Sequence, residues 1–344
     1  MSAAAPNILV LGTSNSIMKD GWLAGFRATL PAARIDNRSV GGSTSLQFAG
    51  ELDTDMRPFD WVIFDGVVND ENKIGHFTDR SLFWSILLEI LQTISAQSRL
   101  IVLGFTAKRH VARESNEAAM HRQLAQAVSA EYAPLQPVLA ELALRRGVDG
   151  VYPSISHPVS EFAYAFGVAL AETMVQQPVH VRSHGGATSA YETIRADDPA
   201  LSAFPSRDVA NSHVSTKVAH VPIGGAVLLP EAMMCVGVRV HSSTSHAMLH
   251  LRTADGVVVQ ACDAKPKGSG MLRFQEFATF PVADQMSVHE VDATSGGIEL
   301  DRLVLRTRLA RRALPVLETA ATPPADGAFA SEVTRRWRAL LGLA

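Results

Sequence analysis

The chain has 344 residues, 47% of them hydrophobic and 19% charged, with a formal net charge of -3. That length supports two ordinary cores, and the near-neutral balance leaves no polycationic footprint for nucleic acid or an anionic membrane surface. Small molecules or neutral polymers are therefore the expected partners.

Met1 to Pro6 lacks a basic n-region, and Asn7-Ile-Leu-Val-Leu11 is too short for the apolar stretch of a signal peptide. It reads as a first strand. No other apolar run reaches the length of about 20 residues that spans a bilayer, so a cytoplasmic enzyme without membrane contact is expected.

From residue 7 to about 176, short β-rich apolar runs alternate with helical patterns, the mark of a parallel sheet covered by helices. Strands are predicted at 7–11, 34–38, 61–66 and 100–105, with a fifth near 148–152. Helical segments are predicted at 17–29, 44–52, 80–96 and 115–146, the last interrupted around Pro134 and Pro137, and a closing helix at 160–176. These form an α/β domain of flavodoxin-like size over 1–177. In such sheets ligands collect beyond the carboxyl ends of the strands.

After Gln177 the pattern becomes alternating apolar and polar: Val179–Arg182, Val218–Pro222, Val236–His241, Met248–Arg252, Val257–Ala261, Leu272–Phe280 and Leu303–Arg308. Residues 178–318 are read as an all-β domain, a sandwich or jelly roll. Asp255-Gly256 is a two-residue hairpin signal within it. Cys235 and Cys262, the only cysteines, lie in apolar strand-like runs and are read as buried free thiols, with no metal cluster implied. Residues 319–344 form an Ala/Pro-rich linker and a final amphipathic helix whose Arg335, Arg336 and Arg338 make a solvated face.

Three strand ends carry residues with chemical potential. Gly12-Thr13-Ser14-Asn15-Ser16 follows the first strand. A hydroxyl there meets a helix N-terminus, whose N–H groups and positive dipole end stabilise a developing oxyanion. Taken alone, Ser14 or Ser16 reads equally as a helix N-cap. Gly41-Gly42 follows the second strand, where a backbone N–H can approach a substrate unobstructed by a Cβ, or where a turn needs positive φ. Asn69 follows the third, able to aim its amide at the same oxyanion or to form a local Asx turn.

In order, Ser14, Gly42 and Asn69 resemble the first three blocks of the SGNH (GDSL-like) serine hydrolases. The fourth block of that family is a His before the last helix, and His157-Pro158 precedes the run Ser160 to Val175. The resemblance covers about the first 176 residues. It implies a three-layer flavodoxin-like sandwich joined to a β-rich domain of carbohydrate-binding, lid or oligomerisation role. Three positions depart from the family pattern: Thr13 replaces the usual Asp, Val67 the usual Gly with Gly66 one place earlier, and Ser154 the Asp expected three residues before the His. The missing acid leaves a Ser–His dyad steadied by a backbone carbonyl, or a triad in which Asp149 folds back.

What the resemblance implies is a serine esterase that removes an O-acyl group, acetyl by preference and carbohydrate by analogy, without cofactor or metal. Ser14 is the expected nucleophile, His157 its base, and Gly42 and Asn69, with the N–H of Ser14, the oxyanion donors. The alternatives are a polysaccharide O-acetyltransferase on the same site and a non-catalytic glycan-binding protein on a degenerate SGNH fold. Lys108-Arg109-His110, beyond the fourth strand, reads as a solvated loop or an anion contact and receives no site role.

Overall fold

The computed structural model of the protein describes residues 5–53, 55–177, 190–211, 214–262, 271–292, 294–307 and 327–343. Among these, β1 (Asn7–Leu11), β2 (Arg34–Asn37), β3 (Trp61–Phe64), β4 (Arg99–Gly104) and β5 (Glu131–Pro134) form a parallel sheet in the order β2-β1-β3-β4-β5. The helices are α1 (Trp22–Thr29), α2 (Val67–Lys73), α3 (Arg80–Ser95), α4 (Asn116–Ala127), α5 (Gln136–Arg146), α6 (Val148–Val151), α7 (Ser160–Met174) and α8 (Ala328–Leu340).

The central strands read as continuous apolar runs because both faces of the sheet are covered. Ile8, Val10, Ile63 and Ile101 enter one core with residues of α1, α5 and α7, whereas Leu9, Leu11, Val62 and Phe64 enter another with residues of α3 and α4. Every crossover therefore returns the chain to the same carboxyl edge, where the loops gather.

The fifth strand differs from the predicted one. It is Glu131–Pro134, while 148–151 is a single helical turn. The apolar periodicity of 115–146 concealed a break: Ser129 adopts φ 54, ending the helical path after Ala127. The four residues before Leu135 then pair with β4. The predicted helix over 44–52 is a 3₁₀ segment, Ser45–Glu51, and α2 was not foreseen.

The second half supplies β6 (Tyr191–Arg195), β7 (Ser206–Ala210), β8 (Ser215–Val221), β9 (Ala226–Leu228), β10 (Met233–His241), β11 (Ala247–Thr253), β12 (Gly256–Cys262), β13 (Leu272–Glu276), β14 (Ala283–His289) and β15 (Ile298–Thr307). Six of these form one antiparallel sheet and β12-β11-β14-β9 a second. Leu249, Leu251, Met286 and Val288 of the smaller sheet share a core with Val238, Val240, Leu300 and Leu303 of the larger. Cys235 and Cys262 are both buried, with no disulfide between them. The hairpin between β11 and β12 turns through Ala254-Asp255, and Gly256, at φ 136, already pairs with Thr253. The expected strand Val179–Arg182 lies outside the described residues.

The two halves are packed against each other. Val236, Phe274 and Val304, on the other face of the larger sheet, join the core that holds α3 and the Ser45–Glu51 segment. Beside that contact Glu51 accepts from Arg302 at 2.7 Å and Arg239 at 3.0 Å, and Arg239 also donates to Asp301 at 2.6 Å. Burial pushes both carboxylates up, but these guanidinium groups more than offset it: Glu51 lies below its usual range and Asp301 at about 2. Removing one partner from such a cluster would leave an uncompensated buried charge.

The last helix also packs on the first half. Phe329, Val333 and Trp337 enter the core of α1, α5 and α7, leaving Arg335 outward and paired with Glu332. Trp337 is fully buried, packs edge-on against Phe166 at 5.2 Å and donates its Nε1–H to Phe162 O at 3.0 Å. Truncating a buried tryptophan typically costs about 3–5 kcal/mol. Trp337→Ala is therefore expected to lower the urea-unfolding free energy by roughly that amount. A loss below about 1 kcal/mol would contradict the packing described, because transfer and cavity terms both act here.

Candidate active site

Ser14 leaves β1 at the first position of a 3₁₀ turn, Ser14–Ser16, closed by Ser16 N–H to Thr13 O at 3.1 Å. The helix expected over 17–29 begins only at Trp22, capped by Gly21 without a side-chain bond. Neither Ser14 nor Ser16 is therefore its N-cap, and the donors near Ser14 belong to a short turn rather than to a long helix dipole.

A buried carboxylate holds that turn from behind. Asp65, next after β3, accepts through Oδ2 from Ser16 Oγ at 2.7 Å, Thr13 Oγ1 at 3.1 Å and Thr13 N at 3.3 Å. Burial raises its pKa, and these three donors oppose the rise. The arrangement accounts for Thr13: an Asp there would set two buried carboxylates against each other.

His157 lies in the loop between α6 and α7. Its Nε2 is 2.7 Å from Ser14 Oγ. The loop is pinned by Tyr152 Oη donating to Thr106 O at 2.7 Å and by Lys108 N–H donating to Ile155 O at 2.9 Å. Across the ring, Ser154 Oγ is 3.1 Å from Nδ1 and accepts the backbone N–H of His157 at 3.0 Å. The partner expected from sequence, a backbone carbonyl, is thus replaced by a hydroxyl. Asp149 does not fold back: its side chain is 93% exposed and paired with Lys108. Burial lowers the pKa of His157.

The loop after β2 brings the other two predicted residues together. Gly41 lies against Ser14, since a Cβ built on it would stand 3.6 Å from Ser14 Cβ. Gly42 adopts φ +69 with open space beside it, a conformation that favours glycine. Asn69, in α2, donates Nδ2–H to Ser43 O at 2.8 Å, so its amide serves this distant loop and not a local Asx turn. Gly66 is needed one place before the family position because a Cβ there would fall 1.9 Å from Ser45 Oγ.

Several residues that sequence reasoning left without a role hold these loops. Asp70 accepts from Ser45 N at 2.9 Å and Ser45 Oγ at 2.6 Å, and faces His121 Nε2 at 2.8 Å, both acid and imidazole being fully buried. Glu71 accepts from Ala107 N at 2.6 Å and Ser115 Oγ at 2.5 Å. Their signal was the acidic run Asp65–Glu71 at a strand end. Lys108, Arg109 and His110 are tied up locally, Arg109 with Asn72 and Glu71 O, so the loop is structural.

A cavity of about 40 Å³ opens beside Gly41 and Ile17, walled from the second half by Asn211, Met271 and Leu272. Through Val40 and Val214 it adjoins a polar groove of about 400 Å³ lined by Asp36, Asn37, Arg38, Arg195 and Thr216, among others. Among the described residues no group of three His, Cys, Asp or Glu side chains could hold a metal ion.

No protein-family model matches the chain, and no curated protein matches it in sequence. Solved structures do. A two-domain esterase active on acetylated mannans, crystallised with mannopentaose, aligns at TM-score 0.57 with 13% identity, over 89% of this chain and 92% of its own. An acetyl xylan esterase from Geobacillus stearothermophilus aligns at TM-score 0.42 with 15% identity, over 53% and 100%. A candidate GDSL-like lipase from Parabacteroides merdae aligns at TM-score 0.35 with 15% identity, over 47% and 95%. The first comparison shows the fold: this chain shares the two-domain architecture of that esterase.

The surroundings of His157 fix its titration. Burial disfavours the imidazolium, and Nδ1 faces a neutral hydroxyl rather than a carboxylate that would favour it. In an NMR titration of the wild type, His157 is expected to lose its proton below the ordinary value of 6.5. Ser154→Asp should move that midpoint upward. A wild-type midpoint above 6.5 would show that burial does not govern the ring, and no shift in a folded Ser154→Asp protein would show that position 154 does not face Nδ1.

Proposed function

We propose that the protein is a serine esterase that removes O-acetyl groups from carbohydrate, with Ser14 as nucleophile and His157 as general base. The observation that carries this reading is the 2.7 Å contact between Ser14 Oγ and His157 Nε2 at the carboxyl edge of the sheet. A base within that distance can take the hydroxyl proton as the oxygen attacks.

The imidazole must present a bare Nε2. With its proton on Nδ1, the ring donates to Ser154 Oγ, which also accepts the backbone N–H of His157 and so uses both lone pairs. The hydroxyl can thus accommodate the productive tautomer without a charge. Burial favours the neutral ring, so the base is already deprotonated at neutral pH.

In the acylation step Ser14 Oγ bonds to the acetyl carbon and His157 Nε2 takes its proton. The carbonyl oxygen becomes an oxyanion facing the N–H groups of Ser14 and Gly42 and the Asn69 amide. Collapse breaks the ester C–O bond, and the sugar alkoxide leaves with the proton held on Nε2. Water then repeats the sequence on the acetyl-enzyme, releasing acetate and restoring Ser14.

Support for carbohydrate comes from two directions. The esterase whose two-domain fold this chain shares acts on acetylated mannans, and the polar groove between the halves adjoins the cavity beside Gly41. None of the four tryptophans is an exposed stacking platform: Trp22, Trp61, Trp84 and Trp337 are all buried. Sugar recognition in that groove would rest on hydrogen bonds from its polar side chains.

Acetate release from acetylated mannan and xylan oligosaccharides tests the proposal, run with and without an unacetylated sugar acceptor. Wild type is expected to yield free acetate, Ser14→Ala none, and Asn69→Ala a kcat lower by about 10²–10³-fold, as for loss of one oxyanion donor. Acetylated acceptor in the products would identify a transferase instead. Equal inactivity of wild type and Ser14→Ala on every acyl ester would leave a glycan-binding protein.

A further inference from the structure

β13, from the second half, lies directly on the loop that carries Gly42. The backbone N–H of Phe274 donates to Ser43 Oγ at 3.0 Å, and the backbone N–H of Thr44 donates to Glu276 Oε1 at 2.7 Å. Thr44 is fully buried and is the N-cap of the Ser45–Glu51 segment. The N–H of an N-cap residue is often satisfied by a Glu or Gln three residues later, in a capping box. Here that residue is Gln47, whose amide turns away to Val40 O at 3.3 Å. Glu276, 232 positions beyond Thr44, takes its place with a charge-assisted bond.

Glu276 also reaches the other side of the hole. Lys73 Nζ lies 3.4 Å from both of its carboxylate oxygens, and Lys73 ends α2, the helix that presents Asn69. One buried carboxylate, 8% exposed, therefore ties together two of the three elements that bear the predicted oxyanion donors. A bare negative charge behind that loop would oppose the developing oxyanion, and the Lys73 ammonium offsets it.

We infer that Glu276 is a positioning residue of the oxyanion hole, fixing the Gly42–Thr44 loop against α2, so that the β-rich half is a working part of the catalytic site. The inference rests on the serine-esterase reading. Glu276 touches no reacting atom; it acts through the peptide it holds. Misplacement of a reacting group by about 1 Å can cost about 10²-fold in rate, and Gly42 is two residues from the Thr44 amide.

The test compares Glu276→Gln, which keeps an acceptor for Thr44 N–H, with Glu276→Met, which fills similar space without one. Aryl acetate turnover is normalised to sites titrated by a fluorophosphonate. Glu276→Met is expected to lose about tenfold or more in kcat with KM changed less than about twofold, while Glu276→Gln stays within about threefold of wild type. The pH midpoint of kcat/KM, which reports His157, should be the same in all three. A kcat per titrated site in Glu276→Met within twofold of wild type, or an equal fall in Glu276→Gln, would overturn the assignment.

Should Glu276→Met fail to fold, Ser43→Ala removes the second tether from β13 and is expected to lower kcat in the same manner, an unchanged kcat overturning the inference. Wild type, assayed first, separates the two claims. Turnover by wild type with no effect of these variants refutes only the role of Glu276. Absence of both turnover and labelling at Ser14 refutes the esterase reading, and this inference with it.

Discussion

The site depends on the hydrogen bonding of three buried carboxylates in one short segment, Asp65 to Glu71. Asp65 holds the turn of Ser14, Asp70 holds Ser45 beyond the glycine loop, and Glu71 holds Ala107 and Ser115 beyond β4. Lys108, next after Ala107, pins the loop of His157 through Ile155 O. A buried charge is costly unless hydrogen-bonded, so each carboxylate selects the loop conformation that offers it donors. Asp65 and Glu71 still have raised pKa values because burial outweighs their donors, and Asp65 Oδ1 has no partner among the described residues. Three strand ends are thereby set relative to one another by a single turn of chain.

On the esterase reading, the departure of Ser154 from the family pattern is coherent. The carboxylate of a full triad does two things: it selects the tautomer of the imidazole and stabilises the imidazolium. In a serine protease, replacing that acid so that the tautomer is wrong lowers kcat about 10⁴-fold with the geometry intact. Ser154 can accept the Nδ1 proton of the productive tautomer but brings no charge for the second role. Burial lowers the pKa of His157, and the neutral hydroxyl at Nδ1 adds no charge to oppose it.

Much of the placement of the candidate residues was legible in sequence because they lie near strand ends, and strand ends are local. Ser14 and Asn69 follow short apolar runs, Gly42 follows the largely polar strand Arg34–Asn37, and His157 precedes a helical run. The fifth strand was not legible: Glu131–Pro134 is four residues long and lies between two helical patterns, whereas 148–152 has the valines of a strand but forms one helical turn. Trp337 gave no sign of which core it would fill, since its contacts with Phe162 and Phe166 lie some 170 residues back. Glu276 was equally silent. Its role comes from docking the two halves, and no periodicity within β13 records which amide it would meet.

The central claim is that Ser14 is a nucleophile activated by His157. It is tested most directly by reacting the folded protein with a fluorophosphonate and mapping the adduct by mass spectrometry. The account predicts one adduct, on Ser14, absent in Ser14→Ala and formed much more slowly in His157→Ala. An adduct on any other residue, or acetate release by a wild-type protein that Ser14→Ala reproduces, would contradict it.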